Sequence, residues 1–123
     1  MLSRELTGRG GALMEITSKS TEKAVVVYVD GDLTTAHCPD VGAEINEILN
    51  ENVSNVIINI EKVNYIASTG LRIILEVGKR LKEEGAELVI CSMNTTTRSV
   101  FEMSGFNKIF RIFDTEEDAL NEL

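Results

Sequence analysis

The sequence contains no tryptophan, one proline, one histidine and two cysteines in 123 residues. Two cysteines, Cys38 and Cys91, give no disulfide framework, so packing must hold the chain together and a reducing cytosol is the natural compartment. In that compartment the triplets Asn52-Val53-Ser54 and Asn94-Thr95-Thr96 carry no glycosylation signal. One histidine, His37, leaves no second cluster to complete a metal site, even with Cys38 and Asp40 beside it. No apolar run approaches the length of a membrane span. The opening MLSRELTGRGGALM lacks the apolar stretch of a signal peptide. Positive charge is short as well: 12 Lys and Arg stand against 20 Asp and Glu, a net charge of −8. Nucleic acid and anionic lipid would both be repelled, so neither is expected as a partner. An acidic surface suits solubility or a basic protein partner.

What is present is an ordinary globular composition, 43% apolar and 26% charged, enough for one domain with a core of its own. Residues 1–13 read as a flexible extension centred on Gly8 to Gly11, and residues 14–123 as the compact domain. Met14 to Thr21 and Ala24 to Val29 read as a strand pair, the second almost wholly β-branched or aromatic and so buried on both faces. Pro39 fits the first turn of a helix whose stripe is Val41, Ile45, Ile48 and Leu49. Val56 to Ile60 and Leu88 to Cys91 are short buried strands. Between them, Leu71, Ile74, Leu75 and Gly78 form the stripe of a helix over 69–84, closed by Gly85. Gly78 lets that helix approach the sheet, and Glu76 precedes Arg80 in the favourable i,i+4 order. Thr95 to Ser104 is a helix stopped by Gly105, and Ile109 to Phe113 alternates like an edge strand. Asp114 with Glu117 makes a capping-box start to a last helix. Strands alternating with helices predict an α/β fold: a mixed, mostly parallel sheet of four to five strands with about four helices, joined by right-handed crossovers.

Four constellations invite a chemical reading. His37-Cys38 is adjacent in sequence, and adjacent side chains rarely face each other as nucleophile and base, so an ordinary loop before a helix is the better account. Gly8-x-Gly10-Gly11 follows no strand and opens no helix, which favours a linker over a phosphate loop. Asp30 and Asp32 flank Gly31 at a strand exit, where acids are usually turn formers or polar contacts rather than an acid–base pair. Ser68-Thr69-Gly70 sits between a strand and a helix start. There a hydroxyl serves as an N-cap or accepts a phosphate, because the helix end carries open N–H groups and partial positive charge. A serine nucleophile is not expected, since no G-x-S-x-G elbow is present and the histidine is remote.

Several segments together carry a family resemblance: Gly31-Asp32-Leu33, Tyr65-Ile66-Ala67-Ser68-Thr69-Gly70-Leu71, Arg80-Leu81 to Gly85-Ala86-Glu87-Leu88, and Phe101-Glu102-Met103-Ser104-Gly105-Phe106. From about Met14 onward the chain resembles stand-alone STAS domains, the sulfate transporter and anti-sigma factor antagonist module. Within that family it is most similar to the bacterial anti-sigma factor antagonists. The resemblance implies a cytoplasmic, non-enzymatic protein without cofactor or metal. Its partners would be an anti-sigma factor with serine kinase activity and a serine phosphatase that resets the cycle. It places the phosphoacceptor at Ser68, with Thr69 as the fallback. It implies a docking face of Asp30, Gly31, Asp32, Thr34, Ser68, Thr69, Gly70 and Arg72. Ala67 and Thr34 depart from the pattern, since many family members carry aspartate at both positions. The alternative implied role is a STAS scaffold subunit of a larger signalling assembly without a sigma-factor target.

Overall fold

The computed structural model describes residues 2–7, 13–36, 38–49 and 54–123. Six strands form one sheet in chain order: β1 (Leu2–Thr7), β2 (Leu13–Ser20), β3 (Ala24–Asp30), β4 (Asn55–Lys62), β5 (Leu88–Cys91) and β6 (Ile112–Phe113). The helices are α1 (Cys38–Ile48), α2 (Ser68–Glu83), α3 (Thr95–Ser104) and α4 (Glu116–Asn121). β1–β2 and β2–β3 pair antiparallel, whereas β3–β4, β4–β5 and β5–β6 are parallel. The expected mixed α/β architecture is therefore present, one strand larger than anticipated.

The additional strand is β1. Leu2–Thr7 pairs with Leu13–Ser18 of β2, where a flexible extension was expected. The glycine segment that separates them, Gly8 to Gly11, lies outside the described residues, as does His37. The turn from β2 into β3 is closed by Thr21, whose hydroxyl accepts from the amides of Lys23 and Ala24 and whose N–H donates to the Ala24 carbonyl. One side chain thus satisfies the backbone at a tight reversal.

Strand alternation sorts the core into two layers. Val27, Val29, Val56, Ile58, Ile60, Leu88 and Ile90 face Val41 and Ile45 of α1, Ile74, Val77 and Leu81 of α2, and Phe101 of α3. Their neighbours Ala24, Val26, Ile57, Val89 and Cys91 face α4 through Ala119. The second layer also holds a polar tie. Asn59, only 8% exposed, donates to Glu116, and Lys19 of β2 reaches the other oxygen of the same carboxylate at 3.1 Å. Burial pushes the Glu116 carboxyl up, but hydrogen bonds from Tyr28 and Lys19 outweigh it and leave the group below its ordinary range.

Four local expectations are corrected. Ile109 to Phe113 is not one strand. A 3-10 turn over Phe106–Lys108 precedes it, and only Ile112–Phe113 pairs with β5. Phe110 instead lies over α2, where a Cβ on Gly78 would stand 2.5 Å from its ring edge, so Gly78 makes room for an aromatic ring and not for the sheet. The cap of α4 is Thr115, whose hydroxyl accepts from the Asp118 amide, while Asp114 pairs with Arg98 at 3.2 Å. Arg80 pairs with Glu84 and donates to Asn46 of α1 at 2.8 Å, so the contact expected with Glu76 is replaced.

Candidate functional site

Two loops meet where β3 and β4 end. Gly31, in the left-handed region at φ 124°, breaks β3, and its amide donates to the Lys62 carbonyl at 3.2 Å. Pairing then resumes for a single step. Leu33 donates to the Tyr65 carbonyl at 2.9 Å and accepts from the Ala67 amide at 2.8 Å, forming a parallel bridge with Ile66. Asp32 takes the Asn64 amide on Oδ1 at 3.2 Å. Asp30 stands 3.9 Å from Lys62, both of them exposed. The polar segment from Asp30 to Thr35 is thereby fixed alongside the segment leading into α2.

Beneath the loops the packing is apolar. Leu33, Ile66 and Cys38 crowd Gly70, where a Cβ would come within 3.1 Å of Leu33 and 3.2 Å of Ile66. Only a glycine admits this approach without displacing its neighbours, which accounts for its place just inside the helix. Cys38 is 2% exposed and offers no accessible thiol.

The helix start differs from the cap reading. Ala67 occupies the N-cap position with extended backbone and no side-chain cap, and Ser68 is the first helical residue. Ala67 is buried at 8%, and its carbonyl accepts from the amides of Gly70 and Leu71. Ser68 points into solvent. Thr69 is half-buried and its hydroxyl donates to that of Thr35 at 3.3 Å, linking α2 to the opposite loop. Arg72 is exposed one turn further along α2.

The structure therefore brings Gly31, Asp32, Ser68 and Thr69 into one paired-loop surface and buries Gly70 beneath it. Thr34 joins it through the backbone, its carbonyl accepting from the Cys38 amide at the start of α1. Asp30 and Arg72 flank this surface, the one facing Lys62 and the other further along the helix.

Two contributors escaped the sequence reading. Tyr65 exposes 53% of its surface beside the Ser68 loop. An apolar–polar alternation could have flagged it, but only the Leu33–Ile66 bridge decides which neighbour turns inward. Asn94 is the second. Its Oδ1 caps α3 by accepting from Thr97 N–H at 2.9 Å, and its Nδ2 donates to the Val63 carbonyl and to Asn64 Oδ1, both at 3.0 Å. The α3 cap thus doubles as a brace for the strand exit that precedes Ser68.

Among the described residues no group of three or more His, Cys, Asp or Glu is placed to hold a metal, and no helix is long and apolar enough to cross a membrane. The accessible chemistry of the surface is that of polar contacts and one exposed primary hydroxyl.

Comparison with known proteins places this geometry. The STAS domain family matches residues 15–119. The chain is 30% identical over 106 residues to BtrV of Bordetella bronchiseptica, named as an anti-sigma factor antagonist, covering 86% of this chain and 91% of that one. An anti-sigma factor antagonist from Mycobacterium paratuberculosis superposes with a TM-score of 0.81 at 20% identity, covering 95% and 97% of the two chains. The antagonist SpoIIAA in its unphosphorylated form gives 0.74 at 22%, covering 87% and 94%. Its phosphorylated form from Bacillus gives 0.67 at 22%, covering 87% and 97%.

Proposed function

The chain belongs to the STAS domain family, and on that premise we propose that it is an anti-sigma factor antagonist, switched off by a phosphate on Ser68. It acts in the cytoplasm as a binding protein and not as an enzyme. The partner is an anti-sigma factor that is also a serine kinase; a serine phosphatase restores the unmodified form. The docking face is the paired-loop surface from Asp30 to Thr35, the Ser68–Gly70 helix start, and Arg72, with Tyr65 as its exposed aromatic contact.

One observation carries the choice of Ser68. Its side chain is exposed at the first turn of α2, whereas Thr69, the other hydroxyl in the loop, is half-buried and engaged with Thr35. A kinase needs an accessible hydroxyl, and Ser68 supplies it. The related SpoIIAA, known in both phosphorylated and unphosphorylated forms, supports the same reading.

The mechanism needs no refolding. A phosphate adds about −1.5 to −2 charges at pH 7. At a helix N-terminus that charge is tolerated, so the domain stays folded. At a protein interface built around a small hydroxyl the added charge must be desolvated, which costs several kcal/mol and releases the partner.

The test is affinity capture from the native organism's lysate with wild type and Ser68→Asp, followed by mass spectrometry. Capture of an ATP-binding kinase by wild type alone, with phosphate on Ser68, is the expected result. Equal capture of one set of partners by both proteins, with no kinase among them, assigns the chain to the scaffold class instead.

A further inference from the structure

We propose that a phosphate on Ser68 is clamped by Arg72 on the same helix, so that modification both adds charge and withdraws the cation from the docking face. This rests on the reading of Ser68 as the phosphoacceptor. Ser68 and Arg72 are both exposed and stand four residues apart on α2. Side chains at that spacing are neighbours on the helix surface, with Cβ atoms about 5–6 Å apart. Helical side chains lean toward the N-terminus, so the Arg72 guanidinium can reach back over Ser68.

Arg72 is available for this contact. The ion pairs of the described residues occupy Arg80, Arg98, Arg111, Lys19 and Lys62, and leave Arg72 out. Its only carboxylate at helical spacing is Glu76, also exposed. That pair runs cation before anion, the less favourable order; a phosphate at position 68 ahead of Arg72 runs in the favourable one. A planar guanidinium can also meet two phosphate oxygens at once, which a lysine cannot. Ala67, next to the phosphoacceptor, has no carboxylate to compete for the arginine.

The consequence is a switch with two effects from one event. Unmodified, Arg72 has no ion-pair partner among the described residues and is open to an acidic group of the partner. Phosphorylated, it is neutralised within its own helix.

The experiment uses full-length protein carrying phosphoserine at position 68, incorporated during translation, with and without Arg72→Gln. The readout is ³¹P NMR of the phosphate as a function of pH. Open N–H groups and dipole at the helix start are the same in both proteins and cancel. The expected result is a phosphate titration midpoint lower by a few tenths of a pH unit with Arg72 present, with partial recovery in Arg72→Lys. The Arg72 side-chain N–H resonance should also move between the unmodified and phosphorylated wild type. Coincident midpoints and an unmoved resonance would overturn the clamp. Capture of the kinase, measured on the same samples, separates the two ideas. Lost capture with coincident midpoints removes the clamp and keeps the switch. A shifted midpoint with full capture keeps the clamp and removes the switch.

Discussion

The Thr69 hydroxyl donates to the Thr35 hydroxyl across the two loops at 3.3 Å. This long contact stabilises little, but it holds Thr69 against the facing loop while its neighbour Ser68 stays in solvent. Thr69→Val should change folding stability by no more than about 0.5 kcal/mol. Phosphopeptide mapping after incubation with the captured kinase should still find the phosphate on Ser68. Modification of Thr69 in the wild type would contradict the assignment.

Asn94 serves two elements at once, so its loss should exceed that of a simple cap. Asn94→Ala removes the α3 cap and leaves the Val63 carbonyl without its donor, at an expected cost of about 2 kcal/mol in urea denaturation. Asn94→Asp keeps the cap and loses only the donor, so it should fall between wild type and alanine. Equal stability of the aspartate and alanine proteins would show that the brace, not the cap, dominates.

Gly78→Ala pits helix propensity against packing. Alanine favours the helix by about 1 kcal/mol, but its methyl would meet the Phe110 ring at 2.5 Å. Overpacking typically costs about 1–3 kcal/mol. A net destabilisation of up to about 2 kcal/mol is expected by thermal melting. A more stable Gly78→Ala protein would mean that Phe110 swings away freely.

Arg111 donates to both oxygens of Glu87 at 2.8 and 2.7 Å, and this hydrogen bonding holds the Glu87 carboxyl below its ordinary value despite partial burial. The folded-state value is depressed, so the stabilisation is complete above the unfolded value of about 4.3 and is lost as pH falls through the folded one. Both side chains are more than a third exposed, which limits the pair to about 0.2–1 kcal/mol. Glu87→Gln should therefore be slightly less stable at pH 7, and its deficit should vanish in the acid range. A deficit of the same size at every pH would assign it to packing.

Tyr65 is 53% exposed beside Ser68. Tyr65→Ala should leave the fold within about 0.5 kcal/mol of wild type. It should weaken the captured kinase by about 2 kcal/mol, roughly 30-fold, if the ring anchors the interface. Unchanged affinity would place the contact surface elsewhere on the loops.

Elements with a single dominant signal were legible from sequence. The β-branched run of β3, the apolar runs of β4 and β5, and the Gly105 stop of α3 each pointed one way. Signals that depend on a distant partner were not. Leu2–Thr7 has a modest pattern of its own and becomes a strand by pairing with β2. Ile109 to Phe113 alternates convincingly, yet Phe110 has a better site over Gly78, and the strand shortens to Ile112–Phe113. Ser68 reads as a cap because serine usually is one, but the backbone enters α2 one residue earlier, at Ala67. The docking set came from resemblance; what sequence could not supply is the Leu33–Ile66 bridge, a single pairing step that joins two loops more than thirty residues apart.

The tie between Lys19 and Glu116 spans 97 positions of the chain. Among the described residues one side of the sheet is covered by α1, α2 and α3, the other by α4. The segments that frame the Ser68 loop are synthesised before residues 116–121. Until α4 docks, Val26, Ile57 and Val89 stand bare to their surroundings, and in that interval the chain is open to chaperone capture or to association with another chain.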